Sequence, residues 1–198
     1  MLGELSCEAL QIMRTALSVS SEILPSRIKE LAEKVSMLAI HTENQAFLIL
    51  SLQQPLLKDL RLVIGVLKIS HQFTRIVNYC IRLVDLSESH TDRDTVPAEF
   101  LALGENCQSM LKDVITSFKL GSTEMAAQLA NKDHENDVLH DTSFQKVLRK
   151  IQTTNVGEGV PIEISANLLT MMRLLERTGD IIAVIAKEVY FMYSGQRL

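Results

Sequence analysis

Two stretches of about thirty residues carry apolar side chains at alternating steps of four and three, a pattern that commits them to long helices packed lengthwise. The first runs Leu62, Val66, Ile69, Phe73, Ile76, Cys80 and Leu83. The second runs Ile164, Leu168, Met171, Leu175, Thr178, Ile182 and Ile185, and continues through Val189 and Met192. Shifted by 102 residues, the two coincide at all seven positions of the first, so an internal repeat is expected. Few identities accompany it, Arg75 with Arg177 and Leu67 with Leu169 among them.

Breaker residues divide the rest of the chain at matching intervals. The first segment runs from about Leu2 to Val19. The second is capped by Ser20 or Ser21, has Pro25 in its first turn or at its start, and ends near Leu52. A third begins after Gln53-Gln54-Pro55 and ends near Leu86. Pro97 opens a fourth, which Gly121 closes. Ser122 caps a fifth reaching Gln152, and the sixth runs from Pro161 to Gly195. The expected fold is all-α: six long helices forming two tandem, pseudo-repeated three-helix bundles, over residues 1–88 and 98–198, with 89–97 as linker. Only 5% of residues are aromatic and four are proline, against 46% hydrophobic, which excludes an all-β chain.

Charge and cysteine usage narrow the function. A net charge of −4 lacks the basic field that nonspecific nucleic-acid binding needs, so no nucleic-acid partner is expected. Cys7, Cys80 and Cys107 are odd in number and form no C-x-x-C. With Glu4, Glu8 and Arg14 where a leader would be apolar, they point to a reducing, cytoplasmic setting. The longest apolar runs, Ala46–Leu50 and Ile181–Ala186, are far below the ~20 residues that span a bilayer.

Catalytic signatures are missing from the sequence: there is no P-loop, G-x-G-x-x-G, G-x-S-x-G or H-E-x-x-H, and no Glu-x-x-His of the kind that holds di-iron in helical bundles. The chain is therefore expected not to be an enzyme. Its unusual chemistry is carboxylate pairing. Glu176 and Asp180 lie four residues apart on the last helix, and Asp137 and Asp141 four apart on the helix before it. In an antiparallel hairpin centred near Val156, Asp137 and Glu176 fall at one height. Four carboxylates then either converge on a hard divalent cation such as Mg²⁺, Mn²⁺, Ca²⁺ or iron, or face solvent and pair with Arg173, Arg177 and Lys187. Thr74 and Asn78 stand at the equivalent first-half positions, so a metal centre is expected in the second half only. Arg61, Lys68, Arg75 and Arg82 follow at intervals of seven along the third helix. They read as a solvated face or as a contact for an acidic partner. His41, His90 and His140 are expected in polar surroundings without a special role, and Met171-Met172 as core filling.

Gln54-Pro55, Lys58-Asp59-Leu60-Arg61 and Glu176-Arg177-Thr178-Gly179-Asp180 together resemble the PhoU family of regulators of bacterial phosphate uptake, over Leu2 to Gly195. The resemblance implies two three-helix bundles and iron or other metal ions held by E/D-x-x-x-D motifs, here Glu176, Asp180, Asp137 and Asp141. It also implies a cytoplasmic homodimer at the membrane periphery, where it contacts the phosphate ABC transporter and a sensor histidine kinase and holds the phosphate-starvation response off. The first half departs from the motif at Thr74 and Asn78, and around Ala32 and Ser36 it lacks the family's Asp and Asn. Two alternatives are a metal-binding helical bundle and a PhoU-like adaptor reassigned to another transporter.

Overall fold

The computed structural model describes residues 1–19, 21–88, 97–131, 133–154 and 162–198; the side chains of residues 133–137, 139, 150–154, 162 and 163 are outside this description. Every element in it is an α-helix: α1 (Leu2–Ser18), α2 (Leu24–Gln53), α3 (Leu57–Glu88), α4 (Ala98–Leu120), α5 (Thr123–Asn131), α6 (Asp133–Thr154) and α7 (Ile162–Ser194). Among the described residues the expected six helices stand as seven, the fifth segment being described as α5 and α6 on either side of residue 132, which lies outside the description. The linker expected at 89–97 lies outside the described residues except for Pro97, which is buried and caps α4.

Local chemistry accounts for most helix ends. Pro25 occupies the first turn of α2, where its missing N–H costs nothing. Gly121 ends α4 at φ 65° and Gly195 follows α7 at φ 75°, both in the left-handed region that glycine enters freely. The α2–α3 turn is different, since Gln54 (φ 46°) and Leu57 (φ 49°) hold that conformation despite their side chains. Each such residue costs roughly 1–2 kcal/mol.

Most of each apolar stripe is core, although Leu62 is exposed and Val66 and Ile164 are half-buried. Ile69, Phe73, Ile76, Cys80 and Leu83 from α3, and Leu168, Met171, Leu175, Ile182, Ile185, Val189 and Met192 from α7, belong to one continuous buried cluster with residues of α1, α2, α4, α5 and α6. Met171 and Met172 are fully buried, as expected of core filling. Polar contacts also join the halves. Arg14 donates to Gln108 Oε1 (2.6 Å), and Gln108 Nε2 donates to Gln11 Oε1 (2.9 Å).

The seam between α3 and α7 shows the repeat. Gly195 lies against the Arg61 guanidinium, Gly65 against Met192, and Lys68 pairs with Glu188 at 2.8 Å. Each step forward along α3 is matched by a step back along α7, so the two are antiparallel. Continued from Lys68–Glu188, this register sets Val77 opposite Gly179, which are also equivalent under the 102-residue shift. An approximate two-fold axis therefore crosses the seam there, and Arg75 and Arg177 stand at matching places beside it.

α1 has 17 residues, whereas α2 has 30 and α3 has 32. Its first turn lines one pocket with Leu38 and Thr42 of α2, and α2–α3 continue past it. Phe47, Leu48, Leu52, Leu56 and Leu57 on that projecting tip are exposed.

Candidate functional site

The paired carboxylates sit where α6 and α7 run side by side, and they do not all point one way. Glu176 is partly exposed, and its Oε2 lies 3.6 Å from His140 Nε2 on α6. That pairing places α6 within about one turn of the hairpin register expected from the sequence. Asp141 is exposed, with 86% of its side chain accessible, and its Oδ1 lies 3.7 Å from Nδ1 of the same imidazole. Asp137 belongs to α6, but its side chain lies outside the described residues. Asp180, one turn beyond Glu176, lines a pocket of about 250 Å³ toward α3, together with Arg75, Tyr79 and Arg177.

His140 is a correction to the reading of its sequence position. It is buried, with 9% of its side chain accessible, and its ring stacks on Phe144 at 6.0 Å. Its Nε2 is buried without a hydrogen-bond partner. The available sequence signal was Phe144 one turn on, which carries the imidazole onto the inward side of α6. His41 is exposed, and His90 lies outside the described residues.

An orphaned, buried nitrogen facing a carboxylate oxygen across 3.6 Å fits a cation with bonds of about 2.1 Å to each atom. Asp141 on the Nδ1 side favours the tautomer that leaves the Nε2 lone pair free. Glu176 and His140 are the donors that this fit supports. Among the described residues no three His, Cys, Asp or Glu side chains converge as a ligand set.

The α3 basic residues serve several ends. Lys68 is held by Glu188, and Arg61 is half-buried beside Gly195. Arg75 donates to Gln72 Oε1 (3.0 Å) and to the Tyr79 hydroxyl (3.4 Å), while Arg82 is exposed. The Arg75 hydrogen bond holds the Tyr79 phenol below its ordinary value, aided by the charges of Arg75 and Arg177. Burial pushes the Cys107 thiol up to about 12, with the Asp180 charge adding to the shift. Burial likewise raises Cys80, and half-buried Cys7 is pushed up to about 11. All three are free thiols. No helix among the described residues is long and apolar enough to cross a membrane.

Comparison with known proteins places this architecture. The phosphate-specific transport system accessory protein PhoU homolog of Zymomonas mobilis is 29% identical over 200 residues, spanning 100% of this chain and 82% of its own. A like-named protein from Caulobacter vibrioides is 27% identical over 84% of this chain and 72% of its own. The crystal structure of PhoU from Pseudomonas aeruginosa superposes with a TM-score of 0.84 at 21% identity, over 98% of this chain and 93% of that one. The phosphate transport system regulatory protein PhoU from Streptococcus pneumoniae gives 0.88 at 20%, over 100% and 92%. The PhoU domain model matches residues 2–86 and again 100–189, once on each side of the α3–α7 seam, and the chain belongs to the PhoU family.

Proposed function

We propose that this protein is a cytoplasmic regulator of phosphate homeostasis, acting as a homodimer that restrains the phosphate ABC transporter and its sensor histidine kinase through protein contacts. The observation that carries this reading is the double PhoU match across nearly the whole chain, together with relatives named as accessory proteins of phosphate-specific transport. The same role predicts binding without catalysis, since restraint of a transporter needs a docking face and no bond-making. Arg82, exposed on α3, and Arg75, exposed one heptad earlier, are the members of the basic row best placed to meet an acidic partner. Arg61 and Lys68 supply the same row but share their charge with contacts inside the fold.

Deleting the gene and following a phosphate-starvation reporter tests this role. The expected outcome is derepression in phosphate-rich medium and recovery of transporter and kinase subunits on the tagged protein from solubilised membranes. An unchanged reporter together with neither partner recovered would overturn it.

A second reading is favoured by the orphaned His140 nitrogen: Glu176 and His140 hold iron or another divalent cation, with Asp137 and Asp141 on the same helix as His140 and Asp180 one turn beyond Glu176, lining the pocket toward α3. Such an ion supplies positive charge beside Glu176 and ties α6 to α7. Elemental analysis of purified protein against Glu176→Ala plus Asp180→Ala decides it, equal metal content excluding the site.

A further inference from the structure

The α3–α7 seam holds a second charge arrangement, of which the regulatory reading uses only Arg75. Two guanidinium groups, Arg75 and Arg177, stand beside the approximate two-fold axis and line one pocket of about 250 Å³ with Tyr79 and Asp180. Both arginines are exposed at its mouth. Symmetry brings them near each other, because the shift that superposes the halves carries Arg75 onto Arg177 while the antiparallel seam sets them on either side of the axis, about 6 Å apart in height, and both line the one pocket. Like charges so placed repel unless negative charge joins them.

The second half brings its own counter-charge, as Asp180 lies three residues after Arg177 and lines the pocket. The first half does not, since Asn78 stands three residues after Arg75 and carries no charge. Neighbouring charges leave this balance unchanged: Lys68 and Glu188 neutralise each other, and Glu176 turns to His140 on the α6 side. Two positive charges against one leave an excess of one. Any engagement of Asp180 by a cation enlarges that excess.

The donors are already oriented. Arg75 is steered by Gln72 Oε1 and by the Tyr79 oxygen, which accepts from it. With a lone pair so engaged, the Tyr79 O–H is left to donate outward. A carboxylate saturates one guanidinium fork, whereas a tetrahedral oxyanion presents enough acceptors for two forks and a hydroxyl together. The pocket is smaller than the ~300 Å³ at which cavities begin to hold drug-sized molecules, which suits a small ion.

We propose that Arg75, Arg177 and Tyr79 form a binding site for a small tetrahedral oxyanion, free phosphate or the phosphoryl group of an ester, which supplies the negative charge missing at Asn78. The site is independent of which transporter or kinase the protein meets.

Calorimetric titration of the full chain with inorganic phosphate at low, fixed ionic strength tests it. Saturable binding at about 1 mM or tighter is expected. Arg75→Gln and Arg177→Gln each weaken it at least about tenfold, equal to about 1.4 kcal/mol. Asn78→Asp, which restores the missing carboxylate, weakens it comparably. Arg27→Gln, on α2 far from the seam, leaves it unchanged, and circular dichroism verifies that every variant is folded. A parallel titration with phenyl phosphate separates the sources: tighter binding of the ester assigns a phosphorylated group, tighter binding of the ion assigns free phosphate. No saturation by either probe, equal displacement by chloride, or titrations of both arginine variants indistinguishable from the parent overturns the site.

Discussion

The two halves of this protein place the same backbone around the α3–α7 seam and fill it with different chemistry. The α7 side presents Glu176, Arg177 and Asp180, whereas the α3 side presents Thr74, Arg75 and Asn78 at the equivalent positions. Only the arginine is common to both. Directly on the seam the contrast keeps its direction, for Ile76 is fully buried and its equivalent Thr178 is buried with its hydroxyl donating to the Leu174 carbonyl at 2.7 Å. Packing is therefore shared between the halves, while the carboxylates at these positions stand on one side only. A repeated fold retains its apolar stripe because both copies build one core, and it is free to lose charge from whichever copy does not need it.

The strongest way to break this comparison is to cut into the seam. Ile76→Ala removes a buried aliphatic side chain, with an expected loss of about 2–5 kcal/mol. Thr178→Val at the equivalent place keeps the volume and gives up one hydrogen bond within its own helix, so a change below about 1.5 kcal/mol is expected. Urea midpoints measure both, and equal losses would show that the halves do not share the seam unequally.

Next in size is the effect on Tyr79. Its phenol is expected to titrate below the usual value near 10, followed by absorbance at 295 nm against the other two tyrosines. Because the folded value is lowered, the attraction to the arginines adds stability only as pH rises past that value, and is complete above the unfolded value. Arg75→Gln moves the titration back toward 10 by more than Arg177→Gln, since the Arg75 hydrogen bond is the leading cause. Equal shifts, or none, would remove Arg75 as the dominant neighbour.

The thiols sharpen the comparison further. Cys80 in the first half and Cys107 in the second are both enclosed, so neither reacts with a thiol reagent at pH 8 on the timescale of native mixing, whereas all three cysteines react after denaturation. A fast native reaction that survives Cys7→Ser would show that one half opens.

The smallest effect crosses between the halves. Lys119 on α4 holds the exposed Glu4 carboxylate of α1 at 2.6 Å and lowers its pKa, helped by the N-terminal ammonium. A lowered carboxylate gives its stability above the unfolded value of about 4.5 and loses it as pH falls through the folded value. Lys119→Ala should flatten the melting temperature against pH below that point, leaving neutral pH almost unaltered.

Much of the architecture was legible before any coordinates, because the evidence for it is periodic. Ile69, Phe73 and Ile76 must share one helix face whatever the rest of the chain does, and a glycine such as Gly121 marks a helix end by what only it does cheaply. Spacing along the helix put Glu176 and Asp180 on one side, as it must. Spacing says nothing of what faces them, and here the neighbours diverge, His140 for one and Arg75 for the other. His140 itself was passed over because an isolated histidine in a polar stretch carries no periodic signal, and its burial follows from how α6 rolls against α7.

The turn at Gln54–Leu57 has a consequence for the order in which the molecule comes apart. Two residues with side chains are held there in a left-handed conformation, at the end of the longest unshielded stretch of α2 and α3. Nothing from α1 reaches far enough to clamp them. Amide exchange should accordingly begin at this tip and advance toward the seam, with Arg61 and Gly65, braced against Gly195 and Met192, as the point where fraying halts. The protein is then a zipper with one open end, whose slider rests at the last contact α7 makes with α3.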